Sequence, residues 1–306
     1  MRIPSTYLRS VGVHLPAMVG LRTAIAQGRY PADESEYLRL GGAAVAAEVP
    51  APELALRAAR HAFERAPGLS PADLDLVLAV LTCEHDDAWQ PPAADWQPRH
   101  YLQQHLTGEN VLAIELRHGC CGMFNALETA ATYLQATPAR YALLVGADNH
   151  GTHNHGSSPM LGDAGCALLI ATDGGFAAVQ SVNSAAPRGT EPTEKTLYDL
   201  VDQTLREAGI TPAEVAKVAF PHGRRDGLAS AMITRLGLTM ADTTWEYGAC
   251  IGHLGVSDQF LALDHLLATG ALTAGDHVVL IGHGADHALS CGVLRLLDVP
   301  REYSSG

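Results

Sequence analysis

An α/β fold made of two similar halves is predicted by three features of this 306-residue sequence. A reciprocal helix-start signal occurs twice, about 140 residues apart, and a helix–turn–strand pattern recurs at nearly the same offset. Apolar strand-like runs also alternate with helical spacing along the chain, which implies mostly parallel sheets covered by helices and joined by right-handed crossovers.

The helix-start signal stands first in "ERAPGLSPADLDLVLAVLTC" and again in "REAGITPAEVAKVAFPHG". Ser70 and Thr211 suit N-caps, Pro71 and Pro212 the first helical position, and Asp73 and Glu214 the reciprocal capping position. An apolar strand follows each. The longer repeat pairs "FNALETAATYLQATPARYALLVGAD" from Phe124 with "FLALDHLLATGALTAGDHVVLIGHGAD" from Phe260. Each reads as helix, turn and buried strand ending in Gly-Ala-Asp, so the halves are expected to meet near residue 175, as 1–174 and 175–306.

Within the first half, "ELRHGCCGMFNALETAATYL" places two cysteines ahead of a helix. Met123, Leu127, Ala130 and Leu134 repeat at helical spacing, so the helix is expected to begin near Gly122, after the strand "NVLAIEL". A thiol at a helix N-terminus meets unpaired N–H groups and the positive end of the dipole, which favour the reactive thiolate. Position alone leaves two readings open, a nucleophile or two small buried core residues.

Composition narrows the partners. With 20 basic and 33 acidic residues the formal charge is −13, which repels nucleic acid and anionic membrane surfaces. No leader and no membrane-length apolar run is expected, which predicts a cytoplasmic protein. Cys83, Cys120, Cys121, Cys166, Cys250 and Cys291 lie in or beside apolar segments without a CxxC, so reduced thiols are expected.

The segment "HGCCGMFNAL" resembles the nucleophile segment of β-ketoacyl-acyl-carrier-protein synthase III. "LLVGADNHG" and "MLGDAGCALLIA" resemble the two strands that follow in that family, and "GHGADHALSCGVLR" its glycine-rich final strand. The resemblance covers nearly the whole chain in the right order. It implies the thiolase fold, a duplicated five-layered αβαβα architecture, and a homodimer.

Matched residue by residue, the resemblance puts the nucleophile on Cys120 and a histidine of the catalytic set on His222 in "FPHGRRD". The position usually held by asparagine falls on His253 in "YGACIGHLGVSDQF". A cysteine with two histidines is similar to the elongating ketosynthases of the same fold. Asp258 either orients His253 or caps the next helix, and the sequence favours capping.

The implied reaction loads an acyl group from a thioester onto Cys120. Amides at the helix start and in the "GHGAD" turn, at Gly284 and Ala285, would stabilise the oxyanion. Condensation with a malonyl thioester is expected next, with His222 and His253 donating to the enolate. Transfer to a hydroxyl or amine stays open, with His222 as general base, as does a non-catalytic partner of another ketosynthase. No metal or other cofactor is called for. The donor is an acyl carrier protein or acyl-CoA, and the acceptor a malonyl thioester or small molecule.

Other features carry weaker readings. Arg224 and Arg225 suit a phosphopantetheine phosphate or an acidic carrier patch, or form a solvated charge pair. His150, His153 and His155 have spacing that zinc could use, although a polar loop at the dimer contact or pocket mouth is favoured. His283 and His287 would make the pocket more polar or serve structurally. Trp89, in "EHDDAWQ", could reach the site from a loop whose acidic residues are solvated.

Two departures bear on substrate. "GRYPADESEYLRLGGAAVAAE" lacks the family's adenine-holding pattern, and the connection following "FAAVQSVNSAAPRGTEPTEKTLYDL" is shorter than the family's lid. A more open site suits a carrier-borne or bulky acyl group. The departures together suggest specialised, polyketide-type metabolism.

Overall fold

The computed structural model describes residues 1–27, 41–45, 49–81, 98–149, 162–185, 194–222, 227–284 and 288–303. Its strands are β1 (Tyr7–His14), β2 (Met18–Gly20), β3 (Gly42–Ala44), β4 (Leu76–Leu81), β5 (Leu112–Arg117), β6 (Tyr141–Asp148), β7 (Ala164–Ala171), β8 (Ala177–Ala185), β9 (Val215–Ala219), β10 (His277–His283) and β11 (Leu289–Leu296). Its helices are α1 (Leu21–Ala26), α2 (Ala51–Glu64), α3 (Pro98–Leu102), α4 (Gly122–Ala136), α5 (Glu194–Ala208), α6 (Gly227–Arg235), α7 (Trp245–Ile251) and α8 (Asp258–Ala268).

Among the described residues, β2 pairs with β3, and nine strands form one sheet in the order β5-β4-β6-β7-β1-β8-β11-β10-β9. Strand directions repeat along it. β4 runs parallel to β6, β6 antiparallel to β7, and β7 antiparallel to β1. In the other direction β9 runs parallel to β10, β10 antiparallel to β11, and β11 antiparallel to β8. A short antiparallel pairing of β1 with β8 joins the two series.

Three apolar layers separate the elements. Leu54, Leu56 and Ala62 of α2 pack against Leu143, Val145 and Leu169 on one outer face. Leu197, Val201 and Leu205 of α5 pack against Val218, Val279 and Val293 on the other. Between them α4 and α8 lie back to back, burying Phe124, Leu127, Phe260 and Leu263 against Leu144, Leu168 and Leu280. The result is helix, sheet, helices, sheet, helix. Period-2 alternation explains how β6 serves two layers, since Leu143 and Val145 face α2 while Ala142 and Leu144 face α4. Each buried Leu or Phe of this kind contributes about 1.5–3 kcal/mol.

The two helix-start signals form as read. Ser70 with Asp73 and Thr211 with Glu214 make reciprocal capping boxes on short 3₁₀ turns rather than full helices, because β4 and β9 begin within three residues. Thr239 with Asp242 makes a third, which the Ser/Thr-x-x-Asp/Glu pattern would also have found. The rings of Phe124 and Phe260, the paired starts of the longer repeat, meet at 6.1 Å between centroids, so the repeat brings its own two copies into contact.

Candidate active site

Strand β5 ends at Arg117, and the chain turns at Gly119 with φ +49°, a left-handed conformation that favours glycine. A 3₁₀ turn over Gly119–Cys121 then leads into α4, so both cysteines stand at the helix entrance. Their side chains part there. Cys120 Sγ lies 3.3 Å from His253 Nε2, whereas Cys121 Sγ points to the Ala288 carbonyl at 3.5 Å. Cys120 is 6% exposed and Cys121 0%, so of the two only Cys120 keeps any accessible surface. Burial pushes the thiols of Cys166 and Cys291 up to about 12, which makes them inert core residues.

His253 follows α7 and His222 follows β9, and one carboxylate links them. Asp258, fully buried as the first residue of α8, accepts from His253 Nδ1 at 2.5 Å. Its other oxygen lies 3.2 Å from His222 Nδ1, a close contact out of line for a hydrogen bond. The same carboxylate accepts the backbone N–H of His222 at 2.8 Å and of Leu254 at 2.7 Å. The capping preference for Asp258 is thereby corrected. Its position in the first turn does suit the helix dipole, but its oxygens are committed to both imidazoles and to the loops that carry them.

These contacts set the charges. Burial pushes Asp258 up, but His253 and then His222 outweigh it and hold the carboxyl well below the usual range. Burial would depress His253, yet Asp258 and then Cys120 beside it keep the imidazole well above its ordinary value. A carboxylate at Nδ1 also sets the tautomer, placing the proton on Nδ1 and leaving Nε2 as a lone pair in the neutral ring. Nε2 of His222 has no hydrogen-bond partner among the described residues, and this side chain is buried, 1% exposed.

The oxyanion expectation needs correcting at Gly284. Its N–H donates to the Ala288 carbonyl at 2.8 Å, closing the turn between β10 and β11, and so is not free for an oxyanion. Ala285 lies outside the described residues, as do Arg224, Arg225, His150, His153, His155, His287 and Trp89. His283 ends β10 opposite Leu289, half-buried. Asp148, which ends β6, accepts the Val256 N–H at 2.8 Å and ties the repeat's first strand to the turn before α8.

Two family models match the chain. Residues 114–186 match 3-oxoacyl-[acyl-carrier-protein] synthase III, and residues 205–296 match its C-terminal part. Among curated relatives, a β-ketoacyl-[acyl-carrier-protein] synthase III of Gloeobacter violaceus is 28% identical over 285 residues, covering 79% of this chain and 82% of that one. Among solved structures, ChlB3, titled an acyltransferase, is 37% identical with a TM-score of 0.86, covering 97% of this chain and 99% of that one. The 3-oxoacyl-[acyl-carrier-protein] synthase III of Aquifex aeolicus, 18% identical with a TM-score of 0.78 over 95% of this chain and 99% of that one, shares the fold. The chain belongs to the 3-oxoacyl-[acyl-carrier-protein] synthase III family of thiolase-fold proteins and is an acyl-transferring enzyme.

Proposed function

We propose that this enzyme takes an acyl group from a thioester onto Cys120 and passes it to a hydroxyl or amine of a small-molecule acceptor. The observation that carries this is the Asp258 carboxylate facing Nδ1 of both His253 and His222. A neutral imidazole with its Nδ1–H on that carboxylate, as at His253, presents an Nε2 lone pair, which accepts a proton. An enolate needs the opposite, N–H donors at Nε2.

The proton balance agrees. The contact between Cys120 Sγ and His253 Nε2 lets the thiol proton pass to the imidazole, giving a thiolate beside an imidazolium as the reacting pair. The thiolate attacks the thioester carbonyl, the carrier thiolate leaves, and it takes the proton from His253 Nε2. The acceptor O–H or N–H then gives its proton to the neutral His253 as its oxygen or nitrogen attacks the acyl carbon. Expulsion of the Cys120 thiolate restores the starting ion pair with no proton drawn from solvent. His222 Nε2 accepts a hydrogen bond from the acceptor and orients it. The base expected at His222 is thus assigned to His253, the imidazole in contact with the nucleophile. Backbone amides at the start of α4 remain candidates for the oxyanion.

Decarboxylative condensation with a malonyl thioester is the second reading. It is favoured by the raised affinity of His253 for a second proton, because an imidazolium offers Nε2–H to an enolate. Intact-mass measurement with candidate acyl thioesters tests loading. Adding a small-molecule alcohol or amine, or malonyl carrier protein with CO₂ detection, then separates the outcomes. Ester or amide product without CO₂ is expected, and CO₂ release coupled to loss of the adduct would overturn this assignment.

The ChlB3 likeness supports transfer by an acyltransferase, and the family supports an acyl carrier protein or acyl-CoA as donor. The departures from the family's adenine-holding segment favour a carrier-borne donor in specialised, polyketide-type metabolism. Residues 1–174 act as the half with the nucleophile and 175–306 as the half with both histidines, which the repeated strand directions support. A homodimer fits the sheet edge at β5, where Leu112 is 48% and Ile114 36% exposed.

A further inference from the structure

His222 is held in an unusual way for an imidazole. Its backbone N–H is tied to Asp258, but neither ring nitrogen makes a well-formed hydrogen bond among the described residues. Packing must therefore set its ring orientation. The ring lies directly on the backbone of Gly248 in α7, where a Cβ would fall 2.5 Å from Cδ2 and 2.6 Å from Cγ of His222. The next side chain, Tyr247, meets the His222 ring edge-on at 5.7 Å and 89°.

Tyr247 is itself fixed from behind. His265 stacks flat on it at 3.9 Å and 7°, and burial keeps that imidazole below its ordinary value, a neutral partner for the tyrosine ring. His265 lies two turns along α8 from Asp258, so one face of α8 supplies both the carboxylate and the backing of the stack. The phenol has no hydrogen-bond partner among the described residues, so its ring is what bears on His222.

We propose that Tyr247 is a positioning residue: clamped between His265 and His222, it holds His222 Nε2 at the angle required to receive the acceptor nucleophile, with Gly248 allowing the close approach. This rests on the reading above in which His222 orients the acceptor. A misplacement of about 1 Å in such a group costs about a hundredfold in rate, so a loosened ring shows in the transfer step. Loading of Cys120 depends on His253 and is left alone.

The test measures the two half-reactions separately on the full-length enzyme, namely adduct formation by intact mass and transfer of the acyl group to an alcohol or amine acceptor. Tyr247→Leu is expected to load within about twofold of wild type and to lose at least tenfold in kcat for transfer, with little change in acceptor KM. Tyr247→Phe, which keeps the ring and drops the hydroxyl, is expected to restore transfer to within about threefold. Wild-type transfer in Tyr247→Leu, with transfer abolished in His222→Ala, would overturn the clamp and leave the role of His222 standing. Wild-type transfer in His222→Ala would overturn both. If Tyr247→Leu does not fold, His265→Ala decides, since it removes the backing of the Tyr247 ring and leaves the Tyr247 and His222 side chains themselves unchanged. Selective loss of transfer there supports the proposal, and equal loss of loading and transfer overturns it.

Discussion

Helices α4 and α8 start alike and carry opposite ends of the chemistry. Each follows a 3₁₀ turn, Gly119–Cys121 before one and Gly255–Ser257 before the other, and the two pack on each other in the central layer. The turn before α4 ends in the thiol pair, while α8 opens with a carboxylate. Both helix starts favour anions, and His253 sits between them, 3.3 Å from the sulfur and 2.5 Å from the carboxylate. One helix start thus holds the nucleophile and the other holds the charge that keeps its proton partner protonated. A duplicated fold therefore yields a site whose halves are alike in backbone and complementary in charge.

The sharpest way to break this comparison is at the sulfur. Cys120→Ala is expected to abolish the covalent acyl adduct, and an adduct retained at wild-type level would end the nucleophile assignment. Asp258→Asn comes next. It keeps the shape but loses the charge and the tautomer control, so transfer is expected to fall about 10³–10⁴-fold. A loss under tenfold in the steady-state rate would show that the carboxylate is mainly a structural link.

The pH dependence of folding stability sharpens the same contrast. Asp258 is held below its ordinary value, so its contribution is present above the unfolded carboxyl value near 4 and is lost as pH falls through the folded value. His253 is held above its ordinary value, so its contribution is complete below about 6.5 and is lost as pH rises through the folded value. Denaturant melts of wild type and Asp258→Asn should therefore differ most between about pH 4 and 6.5, with the gap narrowing on either side of that window. A gap that widens with pH above that window would contradict the pairing. The smallest effect is expected at the other sulfur. Cys121→Ala should load normally and lose about 1 kcal/mol in a urea melt, the ordinary cost of trimming a core side chain.

Much of this site was legible in the sequence, and its gaps have physical causes. Cys120 could be told from Cys121 only by resemblance, because adjacent helix-entry residues share the same dipole and differ in which way their side chains turn. Asp258 was ambiguous because the first turn of a helix suits a carboxylate whether or not an imidazole lies nearby. The close spacing of His253 and Asp258 was the available signal, but without the 3₁₀ turn between them it does not say that they touch. At Gly284 the glycine-rich turn suggested a free amide, and the hairpin's own hydrogen bond uses it. Tyr247 left no mark in the sequence, since an aromatic residue in a short helix is ordinary core material.

By itself the sequence determined the repeat, the capping boxes, the helix entry at the cysteines and the family. The first three depend on local backbone preferences and on periodicities that neighbouring residues carry, and the family on a resemblance of its motifs. Tertiary structure alone decided which sulfur meets an imidazole, that one buried carboxylate serves both histidines, and that His222 is gripped by stacked rings. Those contacts join residues up to 133 positions apart, and their directions follow from how α4, α7 and α8 pack, which no local pattern encodes.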